Sequence, residues 1–78
     1  MKLEVGDIVK YNDNIEKITN ITFKIIDDVI DHHCAELEIE FESGRFYYEE
    51  ITEWDYGIDY IKQRLYKNAE EILEKEVS

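Results

Sequence analysis

The chain has 78 residues, 44% of them hydrophobic, and its twenty acidic and nine basic side chains give a formal net charge of −11. This length predicts one small domain, and twelve isoleucines provide enough apolar volume for a single core. One cysteine excludes an internal disulfide, and the acidic charge disfavours contact with nucleic acid phosphates or an anionic membrane.

The N-terminal third has the pattern of β-strands. Residues 5–11 lead into 12–14, an Asn-Asp-Asn segment that tolerates positive φ and predicts a tight turn. A second apolar segment follows at 15–19. From 21 to 25, Ile and Phe alternate with Thr and Lys, a period of two that indicates a further strand.

The middle of the chain carries the most regular alternation. Residues 26–33 are irregular and acidic and predict a loop or a twisted hairpin end. Four apolar residues then alternate with four glutamates, giving the pairs Ala35 and Glu36, Leu37 and Glu38, Ile39 and Glu40, Phe41 and Glu42. A turn is predicted at 43–45, a returning strand at 46–48, and a short helical turn at 49–51.

After residue 55 the period changes to that of a helix. Apolar residues recur every three or four positions, at Ile58, Ile61, Leu65, Ala69 and Ile72. The pattern predicts an amphipathic helix over 55–76, whose acidic C-terminal turn has the wrong sign for the helix dipole.

The first half of the chain resembles the SH3-like small barrels, including KOW-type modules. The resemblance rests on the segment 5–11 with its Val-Gly-Asp-Ile-Val opening, the tight turn after it, the strand at 15–18, and the late hairpin through Gly44. The resemblance implies an SH3-like, strongly bent antiparallel sheet of about five strands. Together with the C-terminal helix that the helical period predicts, this gives an α+β fold. We therefore predict a single domain over 1–78, with the barrel at 1–54 and the helix at 55–76.

The sequence DHHC at 31–34 matches the signature of the protein palmitoyltransferases over four residues. Those enzymes have several membrane spans and a cysteine-rich zinc-binding domain. The longest run here without a charged side chain is six residues, at 18–23, whereas a spanning helix needs about twenty. The match is therefore a coincidence, and we expect a soluble cytoplasmic protein.

The same segment raises two further possibilities. His32 and Cys34 are two positions apart, so in a strand they share a face and form half of a metal site, which a second copy of the chain could complete. Cys34 also lies beside His33, but acidic surroundings disfavour a thiolate, and no catalytic motif accompanies the pair. We expect no cofactor, no resident metal and no enzymatic activity.

The four alternating glutamates, Glu36, Glu38, Glu40 and Glu42, are the main candidate for a binding surface. Along a strand they repeat about every 6.6 Å, a spacing comparable to that of a phosphate backbone. Lys17 and Lys24 are expected across from them, partly neutralising their charge. Further acids follow, and we expect these to extend the surface: Glu49, Glu50, Glu53 and Asp55. The alternative is a solvated strand face whose charge serves only solubility.

Aromatic side chains gather around the start of the predicted helix. Trp54 is expected in the core, whereas Tyr47, Tyr56 and Tyr60 are candidate interface anchors.

Small acidic chains of this kind resemble proteins of phages and mobile elements, including anti-CRISPR and anti-restriction inhibitors that mimic DNA. The resemblance implies a non-enzymatic inhibitor that docks a basic nucleic-acid-binding surface of a host defence protein. Two other functions stay open: an SH3-like structural or regulatory assembly subunit, in which a homodimer is also compatible with the sequence, and a small metal-binding protein using His32 and Cys34.

The concentration of like charge predicts that salt stabilises the fold. Ten of the twenty acids lie between Asp31 and Asp59 with a single base, Arg45. Raising ionic strength shortens the screening length from about 30 Å at 0.01 M to about 10 Å at 0.1 M, which weakens their repulsion. We expect the melting temperature at neutral pH to rise over this range in thermal unfolding followed by circular dichroism. A fall would contradict the prediction.

Overall fold

The computed structural model describes residues 2–76 as one five-stranded antiparallel sheet and one helix. The strands are β1 (Ile8–Tyr11), β2 (Asn14–Val29), β3 (His32–Phe41), β4 (Phe46–Glu53) and β5 (Glu74–Lys75), and the helix is α1 (Ile58–Ile72). The strand order is β4-β3-β2-β1-β5, so β4 and β5 are the edges of an open sheet. The predicted α+β fold, with about five strands and one C-terminal helix, is confirmed. The likeness to SH3-like barrels stays a prediction.

The sheet bends along β2, which has 16 residues and belongs to both halves of the sheet. Its first residues pair with β1, and from Ile18 onward it pairs with β3. The register shifts between Ile18 and Asn20, where a β-bulge increases local twist. At this bulge the Thr19 hydroxyl donates a hydrogen bond of 3.2 Å to the carbonyl oxygen of Glu40.

The turns use residues that tolerate positive φ. Asn12 and Asp13, at φ 50° and 65°, connect β1 to β2, which confirms the predicted turn. The region 26–33 is the end of a hairpin: β2 continues to Val29, Ile30 and Asp31 form the turn, and β3 starts at His32. The short helical turn predicted at 49–51 was wrong, because these residues lie within β4 and pair with β3.

The helix is shorter than the predicted range of 55–76. Ile61, Leu65 and Ala69 pack against the sheet as their spacing predicted, but the last buried position is Leu73 rather than Ile72. Leu73 lies one turn beyond Ala69, and the chain then enters β5 instead of continuing the helix. Within residues 2–76, no helix has the length and apolar character needed to cross a membrane.

The core lies between α1 and one face of the bent sheet. Its buried side chains are Leu3, Val9, Ile18, Ala35, Leu37, Ile39, Phe41, Tyr47, Ile61, Leu65, Ala69 and Leu73. Strand β3 contributes every second residue from Ala35 to Phe41, which leaves its glutamates on the opposite face. Burial of the apolar half of β3 therefore fixes the direction in which the charged half points.

Glu16 is a buried carboxylate on the core side of β2, with 3% of its surface exposed. Its partner is Arg45, whose Nη1 lies 3.6 Å from Glu16 Oε2. Arg45 belongs to the turn between β3 and β4, so this ion pair ties that turn to the first hairpin.

A matched pair of isoleucine substitutions tests the burial. Ile39→Val removes one methylene from the core and should lower the free energy of unfolding by about 0.5–1.5 kcal/mol. Ile15→Val makes the same change on β2 where 62% of the side chain is exposed, and should stay within about 0.5 kcal/mol of the wild type. Urea unfolding of both variants gives the two values, and equal losses would place Ile39 outside the core.

Candidate partner-binding face

The surface of the sheet opposite α1, which we call the outer face, contains the predicted row of glutamates. The register places its members side by side on three strands: Asn20, Thr22 and Lys24 on β2; Cys34, Glu36, Glu38 and Glu40 on β3; Phe46, Tyr48, Glu50 and Thr52 on β4. These residues have four carboxylates and one ammonium group, and Asp27, the β2 partner of Cys34, adds a fifth carboxylate at the end of the face. Strand β3 lies between β2 and the edge strand β4, so the row has a neighbouring strand on each side.

The row itself is shorter than the sequence suggested. Glu36, Glu38 and Glu40 share the outer face of β3, as predicted. Glu42 follows the last residue of the strand and lies in the turn, where its Oε2 is 3.9 Å from Lys17 Nζ. Lys24 is the register partner of Glu36. Both lysines lie where partial neutralisation of the glutamates was predicted.

The pairing of Glu36 with Glu50 brings two carboxylates face to face. Hydrogen-bonded and non-hydrogen-bonded pairs alternate along an antiparallel ladder. The N–H of Phe41 donates to the Arg45 carbonyl at 2.9 Å, so this pair is hydrogen-bonded and the pairs one step away are not. By this alternation, Glu36 and Glu50 form a non-hydrogen-bonded pair, whose Cα atoms lie about 4.5 Å apart and whose side chains come closest.

Tyr48 lies between these two carboxylates. Its hydroxyl oxygen is 2.6 Å from Glu36 Oε2 and 2.9 Å from Glu50 Oε2, so its single proton is shared between them. The hydrogen bonds to Glu36 and then Glu50 raise the pKa of Tyr48 well above its ordinary value of 10, because ionisation would add a third negative charge.

Cys34 extends the same network at the end of the outer face. The Thr52 hydroxyl donates to Cys34 Sγ at 3.2 Å, and the thiol donates to Glu50 Oε1 at 3.3 Å. The Thr52 hydrogen bond opposes a rise in the thiol pKa, but burial together with the charges of Glu50 and Asp27 raises it overall. The arrangement disfavours a nucleophilic thiolate.

His32 and Cys34 share the outer face, as their spacing predicted, but each contacts other groups. His32 Nδ1 is 2.7 Å from Asp27 Oδ2, and its ring lies 4.7 Å from the Trp54 ring, centroid to centroid. His33 Nδ1 is 2.6 Å from Asp28 Oδ1. In the part of the chain that the structure describes, no three His, Cys, Asp or Glu side chains are arranged to hold a metal ion.

Three other predicted surface residues belong to the helix side of β4. Tyr47 is only 4% exposed and packs in the core, so its prediction as an interface anchor was wrong. Its hydroxyl donates to Glu49 Oε1 at 2.9 Å, and the Asn68 amide donates to Glu49 Oε2 at 3.0 Å. Glu53 lies 3.6 Å from Arg64 of α1. Because side chains alternate along β4, these three residues point away from the outer face. The carboxylates of Glu49 and Glu53 connect β4 to α1.

Trp54, Tyr56 and Tyr60 lie between the end of β4 and the first turn of α1. Tyr56 and Tyr60 are exposed and stack with ring centroids 4.3 Å apart. Asp55 is exposed in the same connection. Trp54 was predicted in the core, but 64% of its surface is exposed. It follows the last residue of β4, and its ring lies against His32 at the hairpin end.

No protein family, curated protein or solved structure was found to match this chain.

The two shifted tyrosines predict alkaline sensitivity. Burial and the Glu49 hydrogen bond raise the pKa of Tyr47, and Glu36 and Glu50 raise that of Tyr48. The folded state therefore retains these protons more tightly than the unfolded state. Their contribution to stability is complete below pH 10 and is lost as pH rises from 10 through the folded pKa values.

Urea unfolding at pH 9 and pH 11 measures this loss. We expect the free energy of unfolding to fall between the two pH values, and to fall less in Tyr47→Phe and Tyr48→Phe, which lack the ionisable hydroxyl. An equal fall in the wild type and both variants would show that other groups control alkaline unfolding.

Proposed function

We propose that the chain is a non-enzymatic binding protein whose outer face docks a basic, nucleic-acid-binding surface of a protein partner. The observation that carries the proposal is the grouping of four carboxylates on two adjacent strands of this face against one lysine. The carboxylates are Glu36, Glu38, Glu40 and Glu50. A surface of this sign attracts a basic partner and repels nucleic acid and anionic lipid.

The arrangement of these charges opposes folding, which supports a role beyond solubility. Like charges directly opposite one another destabilise a sheet, and Glu36 faces Glu50 at the closest type of pair. Glutamate is also a poor strand former. A face that served only solubility would be more stable with threonine and lysine among the glutamates. The cost in stability therefore supports a binding role for the negative charge.

The spacing of the row supports mimicry of a phosphate backbone. Alternate residues on β3 lie about 6.6 Å apart. Phosphates on one DNA strand advance about 3.4 Å along the axis and lie farther apart through space. The sharpest form of the proposal is an inhibitor of phage type that occupies the nucleic-acid site of a host defence protein, as the sequence resemblance implies.

A second candidate function, an assembly subunit, is favoured by a different surface. The stacked pair Tyr56 and Tyr60 is exposed, as are Trp54 and the turn residue Ile30. Exposed aromatic residues are good interface anchors. This function would produce a stable oligomer whose contacts tolerate salt, whereas binding through the outer face weakens as salt screens its charges.

Charge-matched variants test the outer face. The triple variant Glu36→Gln, Glu38→Gln, Glu40→Gln removes three charges from the outer face while preserving side-chain size. The control variant Glu71→Gln, Glu74→Gln, Glu76→Gln removes three charges from exposed positions at the end of α1 and beyond it. Proteins captured from a host lysate by the wild type are identified by mass spectrometry, and their affinities for all three chains are then compared.

We expect the outer-face variant to bind about 10–100-fold more weakly than the wild type, because desolvated charge pairs exceed the value of exposed ones. The control variant should bind within about threefold of the wild type, since its charges are remote. DNA or RNA should compete for the partner. If both triple variants bind alike, or if the outer-face variant folds and retains full affinity, the proposal is wrong.

A further inference from the structure

The outer face ends at β4, which is an edge strand of the sheet. Strand β4 has eight residues and pairs on one side with β3, and among residues 2–76 no strand pairs with its other side. A free edge presents unpaired N–H and C=O groups that accept an added strand. We propose that an extended basic segment of the protein partner adds to β4 as a sixth, antiparallel strand. This inference rests on the proposed function in that the partner is basic.

The ladder shows which residues would receive the added strand. The hydrogen-bonded pair of Phe41 with Arg45 sets the alternation, so the odd-numbered residues of β4 bond to β3. The even-numbered residues direct their N–H and C=O groups toward the open edge. They are Phe46, Tyr48, Glu50 and Thr52. These four are also the residues of β4 whose side chains lie on the outer face, so the free backbone groups and the acidic surface coincide.

The cross-strand row through Glu50 defines the chemistry of the incoming residue. From β2 to β4 the row reads Lys24, Glu36, Glu50, and the edge lies next. Glu36 has a lysine as one cross-strand neighbour, whereas the cross-strand neighbour of Glu50 is another carboxylate. The Tyr48 hydroxyl and the Cys34 thiol donate hydrogen bonds to Glu50, but neither brings a positive charge. A lysine or arginine opposite Glu50 would give it an opposite-charge neighbour, and such cross-strand pairs stabilise a sheet.

The neighbouring side chains favour further basic residues on the same face of the added strand. Phe46 and Tyr48 are both exposed on the outer face. The long stems of lysine or arginine can cover such rings while their charged groups reach the carboxylates. The partner segment is therefore expected to have a basic residue at every second position.

The other face of the added strand would lie on the helix side of β4, where the carboxylates already have partners. On the helix side of β4, Glu49 is already bound by Asn68 and Glu53 lies beside Arg64. A lysine on this side would meet Arg64 rather than a free carboxylate. Uncharged β-branched residues fit better between the basic ones, which fixes the register because a slip of one residue exchanges the two faces.

The charge of Glu50 also opposes pairing of the β4 edge with the β4 edge of a second copy. A second copy of β4 added antiparallel with Glu50 opposite Glu50 would place two carboxylates side by side, and like charges directly opposite one another destabilise a sheet. Charged side chains commonly protect edge strands from aggregation. Here Glu50 also favours a basic strand, because a lysine or arginine opposite it forms an opposite-charge pair.

The test uses an eight-residue peptide, the length of β4, with lysine and valine alternating and with both ends capped. In an antiparallel pair, the residue opposite Glu50 has its side chain on the outer face and its backbone groups bonded to Glu50. The lysine amides therefore bond to β4, and the valine amides point away. Two further peptides have N-methyl groups on the lysine amides or on the valine amides only. Binding to the full chain is measured by fluorescence anisotropy of the labelled peptides.

We expect methylation of the lysine amides to weaken binding by at least about tenfold, since several backbone hydrogen bonds are lost. Methylation of the valine amides should change affinity by less than about threefold, because these groups face solvent. Glu50→Gln should weaken binding of the unmodified peptide, and Glu76→Gln should not. Circular dichroism establishes that both variants fold.

Three results would overturn edge addition: equal effects of the two methylations, the reverse order, or no binding at peptide concentrations up to about 1 mM. If the two methylations act equally but the triple Gln variant of the outer face loses the captured partner, the acidic face stands and the edge proposal fails. If the methylation pattern is as expected but the triple variant retains the partner, the edge accepts a basic strand and the proposed function fails.

Discussion

The structure depends on the alternation of side chains along β3. Its apolar residues face α1 and form much of the core, and the pleat then places its glutamates together on the opposite surface. A register slip of one residue would bury Glu36, Glu38 and Glu40, at a cost far above the few kcal/mol by which a small domain is stable. The packing of β3 into the core therefore also places its glutamates together on the outer face.

The bend at the bulge in β2 lets one helix cover this core. The first half of β2 pairs with β1 and the second with β3, so a single strand connects both halves of the sheet. Between α1 and β4, the core packing of Tyr47 is joined by polar contacts: the Asn68 amide donates to Glu49, and Arg64 lies beside Glu53. The acids of β4 thus divide by alternation into those that hold the helix and one, Glu50, that faces outward.

The errors in the sequence-based site have a common origin. Phe46, Tyr47 and Tyr48 are consecutive aromatic residues, and composition does not show which of them points inward; the register with β3 selects Tyr47. Trp54 is the largest apolar side chain and was expected in the core, but it follows the end of β4 and has no core position available. Hydrophobicity measures a tendency to be buried, whereas burial also requires a place on the packed face.

The sequence alone determined the elements with strong periodicity: the alternating strand β3, the turn at Asn12 and Asp13, and the buried face of α1. These follow from local physical chemistry, because side-chain period and backbone φ preference act over a few residues. Only the tertiary structure decided that β3 lies between β2 and β4, that Glu36 faces Glu50, and that β4 is left as a free edge. Strand order and register are set by contacts between residues distant along the chain, which no local pattern contains.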